Sequence, residues 1–199
     1  QKYHANKYYI EGDYSGASFL LVAGAIAGKV NISGLNPTSK QADIAILDAL
    51  FRAGANIIMD TSSIIAKHNK LNHFEFDATE CPDLFPPLAV LASACEGKSV
   101  IHGANRLKYK ESDRAYVLKK EFEKLGIKIN IDNNAMEICG ATITGGTIDS
   151  HNDHRIAMAG AILGLISKNG VNIDNTECVN KSYPDFFKDL ETVGGKINE

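Results

Sequence analysis

Two kinds of apolar segment alternate along this chain, and the alternation is written three times. The first kind, Ala17–Ala27, Leu84–Cys95 and Arg155–Ile166, is apolar on nearly every face. That pattern predicts helices buried inside a core rather than lying on a surface. Asp13, Asp83 and Asp153, each 70 residues from the next, open these runs. The second kind is amphipathic and closes on Gly54, Gly126 or Gly194. Asp43, Asp113 and Asp185 open it, following the first aspartates by 30, 30 and 32 residues. Counting back eight, four and one residues from the glycines gives Ile46/Leu50/Ala53, Leu118/Phe122/Leu125 and Phe186/Leu190/Val193 as aligned core positions. Repetition at a fixed interval means one structural unit used three times.

Short strands fill the intervals. Each copy begins with one, at Lys7–Ile10, His73–Asp77 or Thr147–Asp149. A β-branched strand follows the buried helix, at Val30–Ile32, Ser99–His102 or Val171–Ile173. Gly28, Gly97 and Gly170 stand where a left-handed C-terminal cap would end that helix. Hairpins of Asn56–Ile58 with Ile64–Ala66, and Lys128–Ile131 with Met136–Ile138, complete the first two copies. The expected fold is therefore α/β (α+β): one pseudo-threefold domain of three β-α-β-α-β-β units, about 7–68, 72–140 and 143–199. The third unit lacks its last strand, since only five residues follow Gly194. An unpaired edge invites aggregation, so a segment outside the chain is expected to complete it; a unit that simply ends early is the alternative. The chain starts at Gln1 rather than Met, which reads as a piece of something longer.

Composition narrows the class. With 199 residues, 44% hydrophobic and 23% charged, the sequence is that of an ordinary globular protein. A net charge of −3 supplies no basic field for nucleic acid. The apolar runs Phe19–Ala27 and Ile156–Ile166 fall short of the ~20 residues a membrane span needs, and no secretory leader pattern opens the chain. Cys81, Cys95, Cys139 and Cys178 show neither a C-x-x-C pair nor zinc spacing, so four free thiols in a reducing cytoplasm are expected.

In such a unit the loops before both helices lie at one end, so helix N-termini gather there and favour bound anions. The loop residues reinforce this: Arg106 to Arg114, with Lys108, Lys110 and Glu111 between them; Asn152-Asp153-His154-Arg155; and Lys181-Ser182-Tyr183-Pro184-Asp185. Asp13, Asp43, Asp113 and Asp185 read first as N-caps. Asp83 differs, because Cys81-Pro82-Asp83 and Pro86-Pro87 make a rigid loop facing the basic cluster. A solvated surface would explain any one lysine, but clustered charge in three converging loops favours a functional site.

Lys110-Glu111-Ser112-Asp113-Arg114, Asn152 to Met158, and Lys181-Ser182-Tyr183-Pro184-Asp185-Phe186-Phe187 resemble the 5-enolpyruvylshikimate-3-phosphate synthase family. Glu11 to Ser18 is similar to the segment by which that family enters its second domain, and the resemblance spans essentially the whole chain in order. It implies the carboxy-terminal half of a two-domain enolpyruvyl transferase fold, with the amino-terminal domain as missing partner. The implied reaction transfers the carboxyvinyl group of phosphoenolpyruvate to the 5-hydroxyl of shikimate 3-phosphate, in the shikimate pathway to chorismate and the aromatic amino acids. By the same resemblance Asp83 accepts the hydroxyl proton and Glu111 serves proton exchange at the vinyl carbon. Arg114, Arg155 and Lys181 match the phosphoenolpyruvate anchors, with His154 beside them and Lys110 between the substrates. No metal or organic cofactor is implied. Arg106 departs from the family, which often has Asn there, and that contact is not carried over. Two other readings stand beside this one: the sibling transferase acting on a UDP-sugar, and a non-catalytic anion-binding module built from the repeat.

Overall fold

The computed structural model describes residues 2–198. The first unit runs through α1 (Tyr14–Ala27), β1 (Lys29–Ser33), a 3-10 turn at Ala42–Ala45, α2 (Ile46–Arg52), β2 (Asn56–Met59) and β3 (Ser63–Lys67). The second contains β4 (Glu75–Asp77), a 3-10 turn at Pro82–Leu84, α3 (Phe85–Ala94), β5 (Lys98–His102), a 3-10 turn at Ala104–Leu107, α4 (Arg114–Lys124), β6 (Lys128–Asp132) and β7 (Ala135–Cys139). The third has β8 (Gly146–Asp149), α5 (His154–Gly164), β9 (Val171–Asp174), a 3-10 turn at Thr176–Lys181 and α6 (Phe186–Thr192).

The uniformly apolar helices α1, α3 and α5 pack against one another at the centre. Every residue of α3 from Phe85 to Ser93 is buried, as is every residue of α1 from Ala17 to Ile26. Pro86 and Pro87 fit the first turn of α3, where backbone N–H groups lack helical partners anyway. Outside this trio lie three sheets. The complete one is ordered β4-β5-β7-β6, with β4 parallel to β5 and the other pairs antiparallel. Its register puts Phe76, Ile101, Met136 and Ile131 in one row, and that row faces the core.

The other two sheets are versions of this one with strands missing. The first is ordered β1-β3-β2 and has no counterpart of β4. Lys7–Ile10, expected as that strand, forms no regular structure, and Tyr8, Tyr9 and Ile10 are exposed. Residues 11–12 are instead anchored sideways, by Gly12 N–H to the Gly34 carbonyl and by the Gln41 side chain to Glu11 and the Gly12 carbonyl. A β-favouring composition without a paired edge does not make a strand. The third sheet holds only the parallel pair β8–β9; among the described residues no strand follows α6.

The three amphipathic helices end alike. Gly54, Gly126 and Gly194 have φ of 86°, 90° and 104°. After each, the next N–H returns to the helix: Ala55 to Leu50, Ile127 to Phe122 and Gly195 to Leu190, at 2.9, 3.1 and 2.9 Å. This is the Schellman cap, whose C′ position favours glycine because φ is positive. Eight of the nine repeat-derived core positions are buried; Val193 is 41% exposed, whereas its counterparts Ala53 and Leu125 are at 0%. Hairpins follow α2 and α4, but among the described residues none follows α6, which leaves Val193 part-exposed. Gly28 also departs from expectation. Its φ of 175° is extended, because α1 runs directly into β1. Gly97 and Gly170 are left-handed but do not cap their helices, since α3 ends at an extended Cys95 and α5 at Leu165. Cys81, Cys95 and Cys178 are buried and Cys139 exposed, all as free thiols. No helix among the described residues is long and apolar enough to cross a membrane.

Gly24 of α1 has a packing reason to be glycine. A Cβ there would lie 2.6 Å from the Ala66 carbonyl oxygen and 3.0 Å from the Val30 nitrogen, both backbone atoms that cannot swing away. Gly164, at the end of α5, has nothing closer than 3.8 Å. We expect Gly24→Ala to destabilise by about 1–3 kcal/mol through overpacking. Gly164→Ala should be neutral or gain up to about 1 kcal/mol from helix propensity. Urea denaturation of the two variants checks this, and equal behaviour would rule out the packing account.

Candidate active site

The site is organised around one buried cation. Arg114 is the first residue of α4, and its side chain is fully removed from solvent. An arginine cannot shed its proton, so burial demands carboxylate partners. Each guanidinium nitrogen has one. Nε donates to Asp153 Oδ2 at 2.9 Å, and Nη2 to Asp153 Oδ1 at 3.2 Å and to Glu111. Nη1 donates to Asp83 Oδ1 at 2.9 Å. Asp83 precedes α3, Glu111 lies in the loop just before α4, Arg114 begins α4, and Asp153 caps α5 through the Arg155 N–H. Three helix N-termini therefore meet at one guanidinium.

Asp83 collects the other cations. Lys110 Nζ lies 2.9 Å from its Oδ1, and Arg155 Nη2 lies 3.6 Å from its Oδ2. Arg155 Nη1 also donates to the Asp83 carbonyl at 3.3 Å. Burial alone would push the Asp83 carboxyl up, but Arg155, Lys110 and Arg114 outweigh it and hold it below the ordinary carboxylate range. Asp153 is wholly buried. There too burial opposes ionisation, and the Arg114 hydrogen bonds and charge, with the Ser112 hydroxyl at 3.0 Å, keep the carboxyl low.

Of the residues expected from sequence, Asp83, Lys110, Glu111, Arg114 and Arg155 come together directly. Lys181 reaches the same loops through Nζ, which donates to the Asn152 carbonyl at 2.9 Å. His154 is buried beside them, and its Nδ1 has no hydrogen-bond partner among the described residues. Burial and the neighbouring Arg155 charge pull its pKa down, which favours the neutral ring. Arg106 stays apart at the surface, 3.8 Å from Glu80.

The aspartates divide in a way the cap reading did not foresee. Asp13 and Asp113 do cap α1 and α4. Asp43 and Asp185 make no capping hydrogen bond. Asp43 lies inside a 3-10 turn, where the helix geometry that capping requires has not begun, and burial raises its carboxyl pKa. Asp185 instead lies 3.9 Å from Lys188. Sequence reasoning had placed Asp153 in the converging loops and in the family motif but given it no role in the site. Its register with Asp83, 70 residues earlier, was the signal that the two face a common centre.

The family model described as EPSP synthase (3-phosphoshikimate 1-carboxyvinyltransferase) matches residues 1–190. The chain belongs to this family. A 3-phosphoshikimate 1-carboxyvinyltransferase from Pyrococcus abyssi is 45% identical over 188 residues, covering 94% of this chain and 46% of its own length. One from Clostridium acetobutylicum is 42% identical over 200 residues, covering the whole chain and 46% of its own length. The chain thus spans about half the length of the curated relatives it matches. Among solved structures, EPSP synthase from Acinetobacter baumannii superposes with a TM-score of 0.83 at 29% identity, covering 95% of this chain and 47% of that one. The enolpyruvyl transferase NikO from Streptomyces tendae gives 0.73 at 20% identity, with 95% and 44% covered, and so shares the fold. The α/β architecture described above is accordingly one half of the enolpyruvyl transferase fold.

Carboxyls held low stabilise the folded state fully above their unfolded value of about 4, and that contribution is lost as pH falls through the lower folded value. Melting temperatures should therefore hold near neutrality and drop below about pH 4. At pH 7, Asp153→Asn leaves Arg114 short of a charge partner and should cost about 3–5 kcal/mol. Its acid loss should be shallower than the parent's. A variant profile as steep as the parent's would rule out the Arg114–Asp153 pair as a source of the acid sensitivity.

Proposed function

We propose that this chain is one half of an enzyme that transfers the carboxyvinyl group of phosphoenolpyruvate to the 5-hydroxyl of shikimate 3-phosphate and releases phosphate. Family membership supports the reaction class. The observation that carries the residue roles is the placement of Asp83 against Lys110, Arg114 and Arg155. Asp83 is the proton acceptor for the hydroxyl, and Glu111 handles the proton at the vinyl carbon. Lys110, Arg155 and Lys181 bind the anionic groups; Arg114, expected as a further anchor, is enclosed by carboxylates and with His154 forms the wall behind them. Arg155 suits this work because its planar fork can grip a carboxylate or phosphate with two bonds.

The cations also set the timing. In the free chain they hold Asp83 ionised and weakly basic. An arriving anion competes for Lys110 and Arg155, and the carboxyl then gains proton affinity as the nucleophile is seated. General-base work of this kind is worth about 10²–10⁴ in rate. The other half of the enzyme supplies the remaining substrate contacts, and a segment of it pairs with the two-stranded β8–β9 sheet. The reading places the enzyme in the cytoplasm.

Phosphate release, measured with the chain combined with the complementary half of the Pyrococcus abyssi relative, tests the activity. Turnover should require both shikimate 3-phosphate and phosphoenolpyruvate, and the chain alone should show none. Release with a UDP-sugar acceptor instead would assign the sibling reaction. In the combined enzyme, Asp83→Asn should lower turnover by about 10²–10⁴ and leave phosphoenolpyruvate binding largely intact. Arg155→Ala should chiefly weaken that binding, by about 2–5 kcal/mol. An Asp83→Asn enzyme that binds poorly yet turns over normally when saturated would remove Asp83 from the base role.

A further inference from the structure

Glu121 is a buried carboxylate with no part in the chemistry above. It lies seven residues after Arg114, two turns along the same face of α4, and like Arg114 its side chain is 0% exposed. Glu121 Oε2 accepts the Asp149 N–H at 2.9 Å and the Lys124 ammonium. His151 Nε2 lies 2.9 Å from Oε1, with Lys120 at 3.7 Å from the same oxygen. Burial would raise the Glu121 carboxyl, but Lys124, the Asp149 N–H and His151 overcome this and hold it low. The group is therefore an ionised acceptor and the imidazole is its donor.

What Glu121 grips is the turn between β8 and α5. His151 and Asn152 have φ of 52° and 57°, two consecutive left-handed residues that are not glycine. Such a pair persists only where its surroundings impose it. Asp149 Oδ1 accepts the His151 N–H at 2.8 Å, Ser150 Oγ accepts the Asn152 N–H at 3.1 Å, and Glu121 takes the imidazole. One residue further on, Asp153 is held by Arg114. Helix α4 thus clamps residues 149–153 at both ends, with a buried anion at one end and a buried cation at the other. Between the clamps, the Asn152 carbonyl receives Lys181 Nζ.

We propose that Glu121 is a positioning residue for the anion site, acting through His151 to fix the turn that aims Lys181 and Asp153. This rests on the functional reading given above. Losing an outer partner that orients a binding group costs about tenfold or more in affinity where such shells have been dissected, and about tenfold is the effect expected here.

The test uses the 199-residue chain itself, labelled for NMR and titrated separately with inorganic phosphate and phosphoenolpyruvate. Amide signals at Asn152, Arg155 and Lys181 should shift in the parent. His151→Gly relaxes the turn and cuts the tie to Glu121, and should weaken binding about tenfold. His151→Gln places an amide donor at the reach of Nε2 and should restore parent-like affinity. Glu121→Met removes the acceptor at similar volume and should match His151→Gly. Should Glu121→Met fail to fold, the two His151 variants still decide the question, because His151 is only partly buried. Equal affinity in the parent and His151→Gly, or equal weakening in both His151 variants, overturns the positioning role and leaves the function reading standing. A parent chain that responds to neither anion overturns the function reading itself, and the inference with it.

Discussion

A guanidinium with no access to water constrains this structure more than any other group. Arg114 cannot neutralise itself, so the fold must bring it carboxylates, and they come from the starts of three different helices. Breaking any one of these contacts leaves charge stranded in a medium that solvates it poorly. The three loops are therefore not independently adjustable. The planar fork adds direction to the charge, since Nε and Nη2 grip Asp153 together while Nη1 meets Asp83. A lysine in the same place would supply the charge and lose the geometry.

Around that fixed point the cationic and acidic groups are interleaved rather than segregated. Asp83 faces Lys110, Arg114 and Arg155 together, while Lys181 meets a backbone carbonyl. The positive field of the site is thus partly cancelled from within, and the helix N-termini add to it from behind. Each of these groups is thus already partnered within the chain. A carboxylate that releases its cations to a ligand becomes a better base in the same movement.

Much of this could be read from the sequence because it was written in triplicate. The three glycines marked where the amphipathic helices close, and the buried helices announced themselves by lacking a polar face. The failures have a common cause. Lys7–Ile10 has the residues of a strand but does not pair with the open edge of β1, and Val193 has the residue type of a core position without a hairpin over it among the described residues. Periodicity reports what a segment would bury, while pairing and coverage depend on neighbours that a single segment does not encode. The site divided along the same line. Charged residues in matching loops were visible, but not that Asp153 would be the innermost carboxylate or that Glu121 would hold the turn beside it. Both are fixed by packing across units.

Arg114 joins Asp83 and Asp153 across 31 and 39 positions of chain, and Arg155 reaches back 72 to Asp83. Contacts this distant in sequence form late, because loop closure must be completed before they contribute. A chain whose third unit had not docked would keep the Lys110–Asp83 and Arg114–Glu111 contacts inside the second unit but would lack the Asp153 and Arg155 contacts across units. The full charged cluster is in this sense a mark of complete assembly: only docking of the third unit brings Asp153 to Arg114 and Arg155 to Asp83, which separates a finished domain from a nearly finished one.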